Sequence, residues 1–257
     1  MVTAVVEISL PAGDPAPVVD AAGDLLATWY KNGQIIGKNW PIACRGRTLR
    51  AYVRLPADDA LDQTFANVYV SRKLERVNAS GGGRPTVEIV GPDPDSASPC
   101  ACTSRRSLIL FTHYLDVESP LSCGDCFDPV PLYRVPPTRD LEYLDILQWA
   151  ADYQACDTLQ MHCTTGERFG ERQLVGHDSS LTAQGREICR RLSAKTGLPA
   201  YYYLHNSRGR SLRDERRRRC PGCRRNWSMA EPWHGRFDFK CERCLLLSNI
   251  ATNVVAR

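Results

Sequence analysis

The chain has 257 residues, 43% hydrophobic and 24% charged, with a net charge of +4. That length suits one large domain, or a main domain with a small appendage. No stretch approaches the ~18 or more uninterrupted apolar residues of a membrane span, so a helical membrane protein is excluded.

The elements follow in chain order. Residues 3–10 alternate apolar and polar side chains, then prolines break the run, which predicts a strand and a turn. The same N-terminal stretch carries Glu7 and lacks a basic n-region, so it reads as a strand rather than a signal peptide, and the expected location is the cytoplasm. Residues 18–36 carry apolar side chains at helical spacing, with Gly37 just past the end. Residues 47–55 read as a strand. Leu61, Phe65, Val68, Tyr69 and Arg72 suggest a second helix ending near Gly81, and residues 86–90 are a further strand. The start is therefore β-α-β-α-β.

A Pro-, Asp- and Ser-rich loop over 91–99 precedes an apolar strand at 108–114. A helix is expected from Thr138, as N-cap, to about Thr158, anchored by Leu141, Leu144, Ile146, Leu147 and Trp149. Another should run from Ser180, as N-cap, to Gly197. Residues 200–205 are a strand. The expected fold class is α+β, with helices packed on a mixed or antiparallel sheet and a zinc ribbon at the C-terminus. The expected division is an α/β main domain over 1–206 with an inserted Cys-rich hairpin at about 99–127. An arginine-rich joint and the ribbon would fill 207–257.

Twelve cysteines in a cytoplasmic chain are unlikely as a disulfide framework, and eight of them fall in close pairs, which points to metal. Cys220 and Cys223, then Cys241 and Cys244, form two C-x2-C pairs separated by 17 residues. Two residues between cysteines let one tight turn aim both sulfurs at one ion, and zinc accepts a tetrahedron of thiolates at ~2.3 Å. Pro221 presets φ, and Gly222 tolerates a positive one. Trp227, Trp233, Phe237 and Phe239 would form the small core of the ribbon. Zinc is the expected ion; an iron–sulfur centre is the other option that four thiolates suit.

Cys100, Cys102, Cys123 and Cys126 repeat the logic as C-x-C, 20 residues, then C-x2-C. They are expected to hold a second zinc, with unliganded thiols as the alternative, and His113 could replace one ligand. Cys44, Cys156, Cys163 and Cys189 have no paired spacing and read as buried apolar residues.

Residues 200–204 (AYYYL), 220–223 (CPGC), 237–241 (FDFKC) and 247–250 (LSNI), with 131–134 (PLYR) upstream, carry a resemblance. The chain resembles an uncharacterised bacterial family described as zinc-ribbon-containing and as candidate nucleic-acid-binding proteins. The resemblance implies the metal site more directly than any activity.

Positive charge is concentrated. Between positions 208 and 225 stand Arg208, Arg210, Arg213, Arg216, Arg217, Arg218, Arg219, Arg224 and Arg225, against Asp214 and Glu215. Guanidinium groups pair bidentately with phosphate, so this run is the candidate contact with nucleic acid. Tyr201, Tyr202, Tyr203, Trp227 and Trp233 could stack on bases if exposed. The same run fits a protein-binding antagonist or immunity-type factor that occludes a partner, and sequence does not separate the two. An enzyme is disfavoured: no H-E-x-x-H, G-x-S-x-G, Walker or dinucleotide motif is present. A zinc-dependent hydrolase would need an open coordination position, which four thiolates do not leave. His113, Asp116 and Glu118, and His162 beside Cys163, are the polar groups nearest to a catalytic cluster.

Overall fold

The computed structural model describes residues 1–255. Among them, no helix is long and apolar enough to cross a membrane. The protein is α+β, with two sheets, one antiparallel and one mixed. Contacts divide the chain into two units elsewhere than at the arginine run. The first holds residues 1–99, 117–119 and 128–144; the second holds 100–116, 120–127 and 145–257.

In the first unit β1 (Val2–Ser9) alternates as expected, with Ala4, Val6 and Ile8 turned into the core. Helix α1 (Ala16–Lys31) buries Val18, Ala21, Ala22, Leu25, Leu26 and Trp29. It stops a turn earlier than the spacing suggested. Asn32 caps it, and Gly33 follows at φ +68, where a Cβ would lie 2.6 Å from the Leu132 Cβ. A side chain there would be strained and would clash, so the helix ends at Lys31 although Ile35 is still buried.

A short strand that the sequence reading missed, β2 (Ile42–Arg45), forms a hairpin with β3 (Thr48–Leu55). Helix α2 (Val68–Val77) starts later than expected, because the Asn67 side chain accepts hydrogen bonds from the Tyr69 and Val70 amides and so caps it there. Strand β4 (Thr86–Pro92) completes the sheet order β2-β3-β1-β4, all antiparallel. This β-α-β-β-α-β order with that pairing is the ferredoxin-like arrangement.

The segment 131–134 belongs to this unit. Tyr133 packs on Phe65 at 4.6 Å, and its hydroxyl donates to Asp59 Oδ1 at 2.5 Å. Arg134 Nη2 donates to both Asp59 oxygens at 2.7 Å. Burial pushes the Asp59 carboxyl up, but these hydrogen bonds outweigh it and hold it below the usual range. A depressed pKa in the folded chain means that stability is present above the unfolded value of ~3.9 and is lost as pH falls through the folded one. Asp59→Asn should therefore cost about 1–2 kcal/mol at pH 7. Urea unfolding at pH 7 and at pH 3 checks it: the difference from wild type should shrink at the lower pH.

The second unit carries β5 (Leu108–Leu110), β6 (Leu121–Cys123), α3 (Leu144–His162), α4 (Glu167–Val175) and α5 (Ser180–Thr196). Then come β7 (Ala200–Tyr203), α6 (Leu212–Arg217), β8 (Ser228–Trp233), β9 (Phe237–Cys241), β10 (Leu246–Ser248) and α7 (Thr252–Val255). The sheet order is β6-β5-β7-β10-β9-β8, with β7 parallel to both neighbours. A central strand between parallel partners is covered on both faces, so all four residues of β7 are buried. Helix α5 lies close against it: a Cβ on Gly185 would fall 2.1 Å from the Tyr202 ring.

Helix α3 begins at Leu144 rather than at Thr138. Asp140 and Leu141 adopt positive φ and break any earlier helix, which leaves Leu141 exposed while Ile146 and Trp149 are buried. Ser179, not Ser180, caps α5, accepting from the Thr182 amide. Helix α4 was not expected at all. Its apolar positions Phe169, Leu174 and Val175 are too few for a periodic signal, and Phe169 is exposed.

Candidate metal centres

Both cysteine sets close on themselves. In each, the four sulfurs lie within 4.8 Å of one another. Cys126 and Cys100 Sγ are 3.6 Å apart, and Cys223 and Cys241 Sγ are also 3.6 Å apart. A tetrahedron with metal–sulfur bonds of ~2.3 Å has edges of about 3.8 Å, so each set fits one ion held by four thiolates.

Local geometry explains the fit. All three C-x2-C turns are followed by a non-glycine residue at positive φ: Phe127 at 68°, Arg224 at 60° and Leu245 at 51°. The left-handed residue turns the chain away once both sulfurs are aimed inward. Backbone amides cap the sulfurs, from Cys102 to Cys100, from Asp125 to Cys123 and from Cys244 to Cys241, each at 3.4 Å. Gly222 departs from expectation. It does not take a positive φ; a Cβ there would fall 2.9 Å from the Cys244 sulfur, so the residue is small for space rather than for backbone freedom.

Two of the thiols are drawn towards ionisation, whereas burial pushes Cys220 and Cys244 up. Burial pushes Cys100 up, but the Arg105 Nε at 3.4 Å and the Cys102 amide bring it down to about 7. The Arg225 amide does the same for Cys223, also to about 7. Arg105 had no signal in the sequence, since its role depends on the fold of the loop before β5.

His113 lies outside both cysteine sets, and its Nε2 pairs with Asp116 at 2.8 Å. His162 and Cys163 are exposed at the end of α3. Cys44 is exposed as well, so of the four unpaired cysteines expected to be buried Cys44 and Cys163 are not; Cys44 lies on the edge strand β2, and Cys163 follows the end of α3. Cys156 and Cys189 are buried as expected, and burial pushes both thiols up.

Of the four side chains expected to form the core of a ribbon, Trp227, Phe237 and Phe239 are buried. The tyrosine string is not a stacking surface: Tyr201, Tyr202 and Tyr203 are 2%, 0% and 8% exposed. Trp227 is buried too, and the ring of Trp233 is engaged by His234, stacked at 4.9 Å, and by Lys240 Nζ at 4.0 Å.

The arginine run divides into two populations. Arg208 pairs with Glu167 at 3.2 Å and with Glu171 at 2.8 Å. Arg218 is docked: Nη2 donates to Ser248 Oγ and to the Asn249 carbonyl, and the guanidinium lies 4.4 Å from the Phe239 ring centre. Burial pushes its pKa down. Arg210, Arg213, Arg216, Arg217, Arg219, Arg224 and Arg225 are exposed and make no ion pair among the described residues. The expected joint is thus folded chain, held by α6 and by Gly209, which exchanges two hydrogen bonds with the Asn253 side chain.

Fold and site together define a two-unit α+β protein whose second unit presents two sets of four cysteines able to hold metal ions. Three family descriptions match the chain, each a domain of unknown function: DUF8589 over residues 9–91, DUF2310 over 102–205 and DUF8594 over 209–254. An uncharacterised protein of Haemophilus influenzae is 33% identical over 231 residues, covering 88% of each chain. A second uncharacterised protein of that organism is 35% identical over 166 residues, covering 65% of this chain and 82% of its own. The chain belongs to this uncharacterised bacterial family.

Proposed function

We propose that the protein is a non-catalytic zinc protein that contacts the phosphate backbone of nucleic acid. Cys220, Cys223, Cys241 and Cys244 would hold one zinc ion, and Cys100, Cys102, Cys123 and Cys126 another. All four sulfurs of each set lying within 4.8 Å of one another favours a single ion over a multi-iron cluster, in which thiolates on different irons stand further apart. When bound, zinc supplies a cross-link between loops, and four thiolates leave no position for substrate. The chain's own residues deliver the surface around it.

One observation carries the binding role: seven exposed arginines without acidic partners among the described residues, gathered in one segment that flanks the Cys220–Cys223 turn. Clustered guanidiniums repel one another unless a polyanion neutralises them. The aromatic candidates for base stacking are buried or already engaged, so the contact rests on charge and carries little base information.

Binding to duplex DNA and duplex RNA, measured against salt, tests the reading. Affinity should fall linearly on logarithmic axes, with a slope of roughly −0.9 per phosphate neutralised on DNA. Replacing Arg216, Arg217 and Arg219 by Ser should make the slope shallower and weaken all sequences alike. Absence of salt-dependent binding at ~50 mM salt would end this reading and leave a protein partner for the same arginines.

A further inference from the structure

The tip of the β8–β9 hairpin reaches the other cysteine set. His234 Nε2 lies 3.0 Å from the carbonyl oxygen of Gly124, which stands between Cys123 and Cys126. Phe127, the residue after Cys126, stacks on the His234 ring at 5.2 Å with planes 21° apart. Trp233 stacks on the same ring at 4.9 Å and 28°. The base of that hairpin ends in Cys241, a member of the other set. One short hairpin therefore has a cysteine of one set at its foot and a clasp on the turn of the other at its head.

The clasp is held from both sides. The Gly124 amide donates to the Ser107 carbonyl at 2.9 Å, and a Cβ on Gly124 would fall 1.9 Å from the Ser107 hydroxyl. Phe127 and His234 both occupy the left-handed region, at φ 68° and 55°. Each such residue costs about 1–3 kcal/mol and persists only where its surroundings fix it. Here they fix one another, and Phe237 of β9 joins the packing at 5.5 Å from Phe127. An ion at the second set (Cys220, Cys223, Cys241 and Cys244) orders the foot of the hairpin; a turn ordered around the first set (Cys100, Cys102, Cys123 and Cys126) completes the seat for its head.

We propose that the two cysteine sets bind their metal ions as a linked pair, with His234 as the positioning residue that carries the coupling. This rests on the zinc reading above. Linkage is reciprocal: whatever factor one ion contributes to the affinity of the other, it receives back.

Zinc affinities of the full chain, by competition with a chelator, test this. Wild-type protein is assayed first for zinc content; less than one equivalent would sink the zinc reading itself. With zinc present, Cys244→Ser should weaken the first set about 10-fold, and Cys102→Ser should weaken the second set by the same factor. In a His234→Ala background both factors should fall towards one, which a merely structural role for His234 would not produce. Should Cys244→Ser fail to fold, His234→Phe keeps a stacking ring and every ligand but loses the bond to Gly124; it should retain two zinc ions while both affinities fall. Unchanged affinities in the single-set variants, an undiminished factor in the His234→Ala background, or unaltered affinities in His234→Phe would overturn the coupling.

Discussion

Removing zinc is expected to unfold the C-terminal sheet, not merely to loosen a surface loop. Purified protein should contain two zinc ions per chain and no iron, by elemental analysis. Cys241→Ser should lose the ion of the second set and with it a free energy on the order of 10 kcal/mol, since in such sites binding energy is folding energy. The loss propagates because Cys241 closes β9, which pairs with β10, and β10 lies beside the fully buried β7. Far-UV circular dichroism and zinc content measure the two effects together. Acid should mimic the substitution, because protons compete with zinc for thiolates. Cys163→Ser is the control: its side chain is exposed and outside both sets, so the change should stay within about 0.5 kcal/mol. A Cys241→Ser protein that keeps its spectrum would show that metal does not hold this sheet together.

The second large effect separates one arginine from its neighbours. Arg218→Ala should destabilise the protein by about 3 kcal/mol, whereas Arg217→Ala should be near neutral. Arg218 covers Trp227 and Phe239, and it closes the carbonyl end of β10 through Ser248 and Asn249. It also stands 3.8 Å from the buried Glu215 carboxylate, which keeps the Asn206 side chain and the Ala251 amide as its other partners. Deleting the guanidinium leaves that carboxylate without its cation and uncovers Trp227 and Phe239. A thermal midpoint lowered by roughly 6–12 °C would express the loss, against little change for Arg217→Ala. The contrast also guards the nucleic-acid experiment: a variant that included Arg218 would confuse lost binding with lost folding.

The two cysteine sets were legible because their geometry is local. Cys220 and Cys223 share one turn, as do Cys241 and Cys244, and a tight turn can aim both sulfurs at one point whatever the rest of the chain does. Strand β1 was legible for a similar reason, since alternation with period two is written directly in Ala4, Val6 and Ile8. Helix α5 announced itself through Ser179–Ser180 at one end and Gly197, at φ 72°, at the other.

The tyrosine string and the arginine run were not legible in that way. Whether Tyr201 to Tyr203 face solvent depends on which strands flank β7, and those are β5, about ninety residues earlier, and β10, about forty later. Arg217 and Arg218 are identical in type and adjacent in sequence. Only the approach of Phe239, Ser248 and Asn249 makes one a structural residue and leaves the other exposed. His234 likewise gave the signal of a hairpin turn beside Gly235 and nothing more, until the fold brought Gly124 and Phe127 to it. Sequence by itself determined which cysteines share a turn, because a turn of four residues is set by its own backbone. Tertiary structure alone decided burial and partnership, because both depend on pairings between segments far apart in the chain.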